Sequence, residues 1–247
     1  MIGQVVMSFS PLHEGILIKR YKRFLADIRL KDGTLVTAHC PNTGPMRGLL
    51  SSDSKVRLKY SPSPLRKLSW TLEQIQVVNN LNDLVWVGVN TSFANTLIRK
   101  TIEKQLLKDK LGKIKEIRSE IKYGKEGKSR VDFVLKPYES NKDSRDIYLE
   151  VKNVTWVEGD SCLFPDTVTL RGQKHIKELI NIMPNSRGVL LFCITRNDMK
   201  NFISGDQADP DYGKLLKLGI RNGLEVIPCS YQFNKDHVSW MGLKPLG

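Results

Sequence analysis

The hydrophobic period of this chain is that of strands alone up to residue 90 and mixed beyond it, so the two sides of that point must build different kinds of layer. Before it, apolar and polar residues alternate in short runs: EGILIKR (14–20), RFLADIRL (23–30), TLVTAHC (34–40), KVRLKY (55–60) and LSWTLEQIQVV (68–78). Turn chemistry separates them, in KDG, CPNTGP and SPSP. A period of two bounded by Gly, Pro and Asn predicts strands. Five short strands at this spacing suit a small closed barrel. An OB-like barrel, the common nucleic-acid-binding kind, is the first expectation and an SH3-like barrel the second.

Beyond residue 90 the period lengthens. SFANTLIRKTIEKQLL puts Phe93, Leu97, Ile98, Ile102 and Leu106 on one helical stripe that runs to about Leu107, with Asn90 or Thr91 as its cap. Three strand-like segments follow, IKEIRSEIKYG, SRVDFVL and DIYLEVKNVTW, the last two spaced as a long hairpin. LRGQKHIKELINIM reads as a helix, GVLLFCIT as a central strand buried on both faces, DYGKLLKLGIRNG as a helix closed by Gly223, and LEVIPCSYQF as another strand. That order predicts a mixed sheet with helices on both faces. The expected division is an all-β OB-like barrel over residues 1–84 and an α/β unit over 85–247.

Charge narrows the partners. The chain carries 39 Lys and Arg against 26 Asp and Glu, a net +13. Between Glu14 and Trp70 twelve basic residues face four acidic ones, so +8 of the excess sits on the barrel. Such a surface favours a polyanion. Tyr21, Phe24, Tyr60 and Trp70 are interleaved with that charge, as a surface that stacks bases requires, although each could equally serve the core. Cys40, Cys162, Cys193 and Cys229 lie far apart without a CxxC pair, which predicts buried thiols and neither zinc nor disulfides. No secretory leader and no apolar stretch of membrane-spanning length is readable, so the expected location is the cytoplasm and no membrane partner is expected.

In YLEVKN (148–153) the strand alternation sets Leu149 and Val151 on one face and Tyr148, Glu150 and Lys152 on the other. In SRVDFVL the apolar face is expected to be Val131, Phe133 and Leu135, with Asp132 opposite. If the two strands pair, Asp132 falls near Glu150 and Lys152. Two adjacent carboxylates repel unless a cation lies between them, and a hard divalent ion meets that need. A solvated strand face with a surface ion pair accounts for the same residues.

The pattern D, then E-x-K on the next strand, is that of the PD-(D/E)xK phosphodiesterases with the restriction-endonuclease-like fold. Longer stretches carry a more specific likeness. HCPNTGPM (39–46), VGVNT (87–91), RSEIKYGKEGKSRVDFVL (118–135), YLEVKNVT (148–155) and LFPDTVTLRGQKHIKEL (163–179) closely resemble the sugar fermentation stimulation protein A (SfsA) family, over nearly the whole chain. The resemblance implies an OB domain joined to a PD-(D/E)xK-type domain, DNA binding, and a part in regulating sugar, particularly maltose, catabolism.

On that resemblance Asp132, Glu150 and the main-chain carbonyl of Val151 would hold Mg²⁺ or Mn²⁺, and Lys152 would stabilise the charge developing on phosphate. Glu120 is the first choice for a further acidic group and Glu103 its rival. Arg20, Lys22 and Arg23 on the barrel, and Arg130, Arg171, Gln173 and Lys174 beside the motif strands, are the expected nucleic-acid contacts. His175 is expected at the surface near DNA, with a base role as the alternative. Asp166 is expected as a helix-entry cap, Asp209 and Asp211 as caps of the helix at Tyr212, and HCPNTGPM as turn structure. The partner is DNA, with RNA equally allowed by the barrel. A homodimer is expected because two sites cut a duplex most simply. The two functional expectations are a metal-dependent nuclease and a non-catalytic DNA-binding regulator on a nuclease-derived fold.

Overall fold

The computed structural model describes residues 1–124, 127 and 129–247. After β1 (Val5–Ser8) come β2 (His13–Tyr21), β3 (Leu25–Leu30), β4 (Leu35–His39), β5 (Lys55–Tyr60), β6 (Trp70–Val78) and β7 (Leu84–Gly88). These last six are hydrogen-bonded in the order β4-β3-β2-β5-β6-β7, and a parallel pairing of Ala38 with Trp70 and His39 with Thr71 joins β4 to β6. Five strands thereby close into the expected barrel. Apolar side chains from these strands fill it: Leu17 from β2, Ile28 from β3, Val56 and Leu58 from β5, and Leu72 and Ile75, set three apart by a bulge, from β6 are all buried. The β2–β3 hairpin turns through Lys22, Arg23 and Phe24, the first two with positive φ (48° and 66°).

The second unit runs α1 (Ser92–Glu103), α2 (Lys108–Leu111), β8 (Ile114–Tyr123), β9 (Ser129–Pro137), β10 (Ile147–Val154), β11 (Trp156–Glu158), β12 (Ser161–Phe164), α3 (Leu170–Ile182), β13 (Arg187–Ile194), β14 (Asn201–Ser204), α4 (Pro210–Arg221), β15 (Glu225–Phe233) and β16 (His237–Leu243). Its main sheet has seven strands in the order β1-β16-β15-β13-β10-β9-β8, with β10, β13 and β15 mutually parallel and the other pairings antiparallel. β11, β12 and β14 form a small sheet of their own. On one face of the main sheet Leu97, Ile98 and Ile102 of α1 pack with Leu135, Leu149 and Leu191. On the other, Ile176 and Leu179 of α3 and Leu216 of α4 pack with Leu190 and Phe192. The mixed sheet with helices on both faces is as expected.

Several edges differ from the sequence reading. The barrel sheet extends to Gly88 rather than ending at residue 84. β1, assigned to the barrel half, instead pairs antiparallel with β16, Val5 against Ser239 and Ser8 against His237. Its four residues, VVMS, are too few to show a period. The first helix stops at Glu103, and the chain turns through Gln105 at φ 59°. Val131 does not share a face with Phe133 and Leu135. It lies in the α3-side cluster, whereas they lie in the α1-side cluster. The alternation switches at Asp132, opposite the point where β8 carries Glu120 at φ 56°.

The two units meet at a bonded seam. Thr195 Oγ1 donates to the Gly88 carbonyl (2.6 Å), and Gly88 N–H donates to the Thr195 carbonyl (2.9 Å). A side chain at Gly88 would fall on the Phe233 ring, so glycine is what lets the strands approach. Gln74 Nε2 donates to the Asn234 carbonyl, Thr91 Oγ1 to the Pro41 carbonyl, and Arg47 lies 4.8 Å from the Trp156 ring centroid. The NTG loop is turn structure, as expected. Asn42 Oδ1 accepts from Gly44 N–H, and Arg20 Nη2 donates to the carbonyls of Asn42 and Gly44. The four cysteines are free and buried.

Candidate metal and nucleic-acid site

β9 and β10 pair antiparallel through Leu149 and Phe133, and one further step along that register sets Glu150 opposite Asp132. There the ladder ends. Val151 N–H donates to Asp132 Oδ2 (2.7 Å), so the carboxylate takes the place of a main-chain acceptor. Asp132 Oδ1 accepts from Asn95 Nδ2 of α1 (2.8 Å). The switch in alternation at Asp132 is thus the local price of turning its side chain toward Val151 of β10 and Asn95 of α1.

Glu150 points to the α3 face, as its place between Tyr148 and Lys152 requires, and is 4% exposed. Its Oε1 accepts from Lys152 Nζ (2.7 Å) and from His175 Nδ1. Arg171 Nε lies 3.4 Å from His175 Nε2 as a weak donor, which leaves Nδ1 to carry the proton given to Glu150. His175 is therefore buried in the site, not on the surface. Burial pushes the Glu150 carboxyl up, but the His175 hydrogen bond and the Lys152 charge together outweigh it and hold the group below its usual range. Asp132 goes the other way: burial, then the charge of Glu150, raise it against the pull of Val151 N–H and Asn95.

Glu150 Oε2 is buried with no hydrogen-bond partner among the described residues, and so are Tyr123 Oη and Glu178 Oε2. Tyr123 is pushed above its ordinary range by burial and then by the charges of Glu150, Glu178 and Asp132. Ser129, opposite Tyr123 in the β8–β9 ladder, donates to Glu178 Oε1 (2.6 Å). Hard oxygen donors with an orphaned buried lone pair are what a divalent cation would take. Asp132, Glu150 and the Val151 carbonyl fit such an ion by donor chemistry, although among the described residues no three His, Cys, Asp or Glu side chains already converge as a ready-made set.

The other predicted residues divide. Glu120 is exposed and pairs with Arg130 (3.5 Å), and Glu103 is exposed and pairs with Arg99 (3.7 Å), so neither completes the carboxylate pair. Arg171 and Lys174 stand exposed at the rim, Lys174 3.7 Å from Glu178. Gln173 is committed elsewhere: its Nε2 donates to both oxygens of Asp209, which caps α4 by accepting from Tyr212 N–H. Asp211 is exposed and pairs with Lys214. Arg20 clamps the NTG loop and Arg23 donates to the Thr43 carbonyl, so only Lys22 of the three barrel residues has no structural hydrogen bond among the described residues. Thr169, not Asp166, caps α3, accepting from Gly172 N–H (3.1 Å). Asp166 instead sits at the seam under the NTG loop, where burial raises it while Met46 N–H and Arg47 pull it down. Of the barrel aromatics, Phe24 and Tyr60 are about half exposed. Tyr60, Trp70 and His13 cluster, with Tyr60 and Trp70 centroids 4.7 Å apart.

Asn95 and the buried role of His175 escape a sequence reading that follows apolar stripes. A polar residue flanked by Ala94 and Leu97 was the available sign for Asn95. Its inward direction depends on where α1 crosses the sheet.

A closed OB-type barrel joined to a restriction-endonuclease-like α/β unit, with a carboxylate pair and a lysine on adjacent strands, defines the class. The profile described as the SfsA N-terminal OB domain matches residues 18–89, and that described as the sugar fermentation stimulation protein RE domain matches residues 92–237. The chain belongs to the sugar fermentation stimulation protein (SfsA) family. It is similar to sugar fermentation stimulation protein homologs of Prochlorococcus marinus: 58% identical to that of strain MIT 9515 over 98% of this chain and 97% of the relative, and 53% to that of strain MIT 9211 over 99% and 96%. A solved structure described as Pyrococcus furiosus SfsA in complex with Ca²⁺ has the same fold, with a TM-score of 0.85 over 99% of both chains at 23% identity. No helix among the described residues is long and apolar enough to cross a membrane.

Proposed function

We propose that this protein is a divalent-metal-dependent phosphodiesterase acting on nucleic acid, DNA in the first instance, in the cytoplasm. The observation that carries the reading is the Asp132–Glu150 pair at the end of the β9–β10 ladder, with Lys152 Nζ 2.7 Å from Glu150 and Glu150 Oε2 buried without a partner among the described residues. The Pyrococcus relative described with Ca²⁺ supports an oxygen-ligated ion in this fold. Asp132, Glu150 and the Val151 carbonyl would hold Mg²⁺ or Mn²⁺, which when bound supplies Lewis acidity against phosphate oxygens. Lys152, already desolvated beside Glu150, would donate to a phosphate oxygen as charge develops there. His175 orients Glu150 by holding Oε1, which leaves the buried Oε2 as the oxygen available to an ion. Arg130, Arg171 and Lys174 at the rim would neutralise flanking phosphates, and the basic barrel would grip the strand.

One observation favours a second reading. Lys152 and His175 both bond the same oxygen of Glu150, so that carboxylate is already compensated within the chain. A non-catalytic DNA-binding regulator of sugar catabolism would keep this arrangement as structure.

The deciding experiment incubates the protein and its Lys152→Ala variant with labelled single-stranded DNA, duplex DNA and RNA in Mg²⁺, Mn²⁺ or EDTA, following binding and cleavage together. Cleavage by the wild type alone, abolished by EDTA, is expected. Binding whose affinity falls with salt, without cleavage under any condition, would establish the regulator reading instead.

A further inference from the structure

Away from the carboxylate pair, a cavity of about 260 Å³ opens on the seam between the barrel and the α/β unit. Phe9 and Leu12 from the segment after β1, Phe93 of α1 and Phe233 of β15 line it, with Lys59, Glu73 and Gln74 from the barrel and Ser10 beside them. Glu73 is 4% exposed. Its Oε2 accepts from Asn90 Nδ2 (2.8 Å), and no other side-chain hydrogen bond reaches its carboxyl among the described residues. Burial pushes this carboxyl up to about 7, against the pull of Asn90, Lys59 and Arg66. Gln74 is engaged at both ends: Arg57 Nη1 donates to its Oε1, and its Nε2 donates to the Asn234 carbonyl. Lys59 is exposed and brings a cation to the same cavity.

A buried carboxyl at the floor, aromatic rings on the wall and an ammonium outside specify a ligand in three parts. It has a hydrogen-bond donor at one end, a flat apolar middle and an anion at the other. A cavity of about 150 Å³ accepts benzene, so this one takes a larger ring system. Rings pack well on phenylalanine. We propose that the seam cavity binds a nucleotide with an amino-bearing base: the base lies against Phe9, Phe93 and Phe233, its exocyclic amino group donates to Glu73, and its phosphate meets Lys59. The same chemistry is presented by a free mononucleotide and by an unpaired residue of a strand. The site shares no residue with the Asp132–Glu150 pair and does not depend on cleavage.

The test is calorimetric titration of the intact chain with AMP, CMP and UMP at about pH 8.5, where the Glu73 carboxyl is ionised and can only accept. AMP and CMP are expected to bind, with UMP weaker by about tenfold, because UMP turns a carbonyl toward a carboxyl. In Glu73→Gln the Asn90 bond holds the amide oxygen and turns the NH₂ into the cavity, so the preference should reverse toward UMP; a purely structural glutamate would not produce a reversal. Ser10→Trp, at an exposed position on the lining, should abolish binding of all three while the melting temperature stays at the wild-type value. Lys152→Ala should bind as the wild type does, which separates this site from the proposed catalytic one. Competition of AMP by single-stranded oligo-dA, absent with an all-abasic strand, identifies a strand as the source. Failure of oligo-dA to compete identifies the free nucleotide. No binding at millimolar nucleotide, equal binding in Ser10→Trp, an unchanged preference in Glu73→Gln, or tighter binding of tryptophan than of AMP would each overturn the proposal.

Discussion

Glu73 and Glu150 are equally hidden, each 4% exposed, yet their carboxyls move in opposite directions. Desolvation is the largest influence on both. Glu73 answers it with one neutral amide, Asn90, and rises to about 7. Glu150 answers it with Lys152 and His175 on a single oxygen and stays ionised below its usual range. Depth in the fold therefore says little about protonation; the partners within hydrogen-bond reach decide it. One unit keeps an ionised carboxylate beside its own cation, and the seam keeps a group poised to gain or lose a proton near neutrality.

The strongest way to break this contrast is Lys152→Met. It strips a buried carboxylate of its cation and should cost about 3 kcal/mol in urea denaturation, with the double variant Glu150→Gln/Lys152→Met recovering most of that loss. If the single variant is as stable as the wild type, Glu150 is not held by Lys152. Next in size is the pH dependence due to Glu73. Its folded pKa lies above the unfolded one, so the folded state holds the proton more tightly between pH 4.5 and about 7. Stability present below that window is lost as pH rises through it, by up to about 3 kcal/mol. Glu73→Gln should flatten that segment of the melting-temperature profile, and an unaltered profile would show that Glu73 titrates normally.

Asn90→Ala should cost about 1–2 kcal/mol by equilibrium denaturation, since it removes the Glu73 hydrogen bond and the Asn90 Oδ1 acceptor for Ser92 N–H at the start of α1. The smallest effect belongs to Lys59→Ala. The side chain is exposed, so stability should change by less than about 0.5 kcal/mol, while the midpoint of the Glu73 titration moves upward.

Much of the architecture was legible because period and punctuation agree. KVRLKY announces a strand by spacing alone and falls where the structure has it, and SFANTLIRKTIEKQLL announces a helix that the structure ends at Glu103 instead of Leu107. What was not legible depends on contacts between distant segments. VVMS carries no period and needs β16 to become a strand. Val131 was placed with Phe133 by strict alternation, which fails where Asp132 leaves the pleat to cap Val151 N–H. The pairing of Asp132 with Glu150 followed from the hairpin reading. The burial of His175 did not, because it rests on α3 crossing directly over Glu150. Gln173 looked available for phosphate only because Asp209, far along the chain, could not be seen to claim it.

β1 gives the protein a particular history during synthesis. Val5 leaves the ribosome long before its partner Ser239, more than 200 residues further along the chain. The barrel strands, whose pairings are comparatively local, can close while VVMS waits as an unpaired edge segment. That edge of the main sheet is then finished only when β1 and β16 meet. A nascent chain stalled before β16 should already hold a folded barrel, yet leave residues 5–8 open to protease until the final strand arrives.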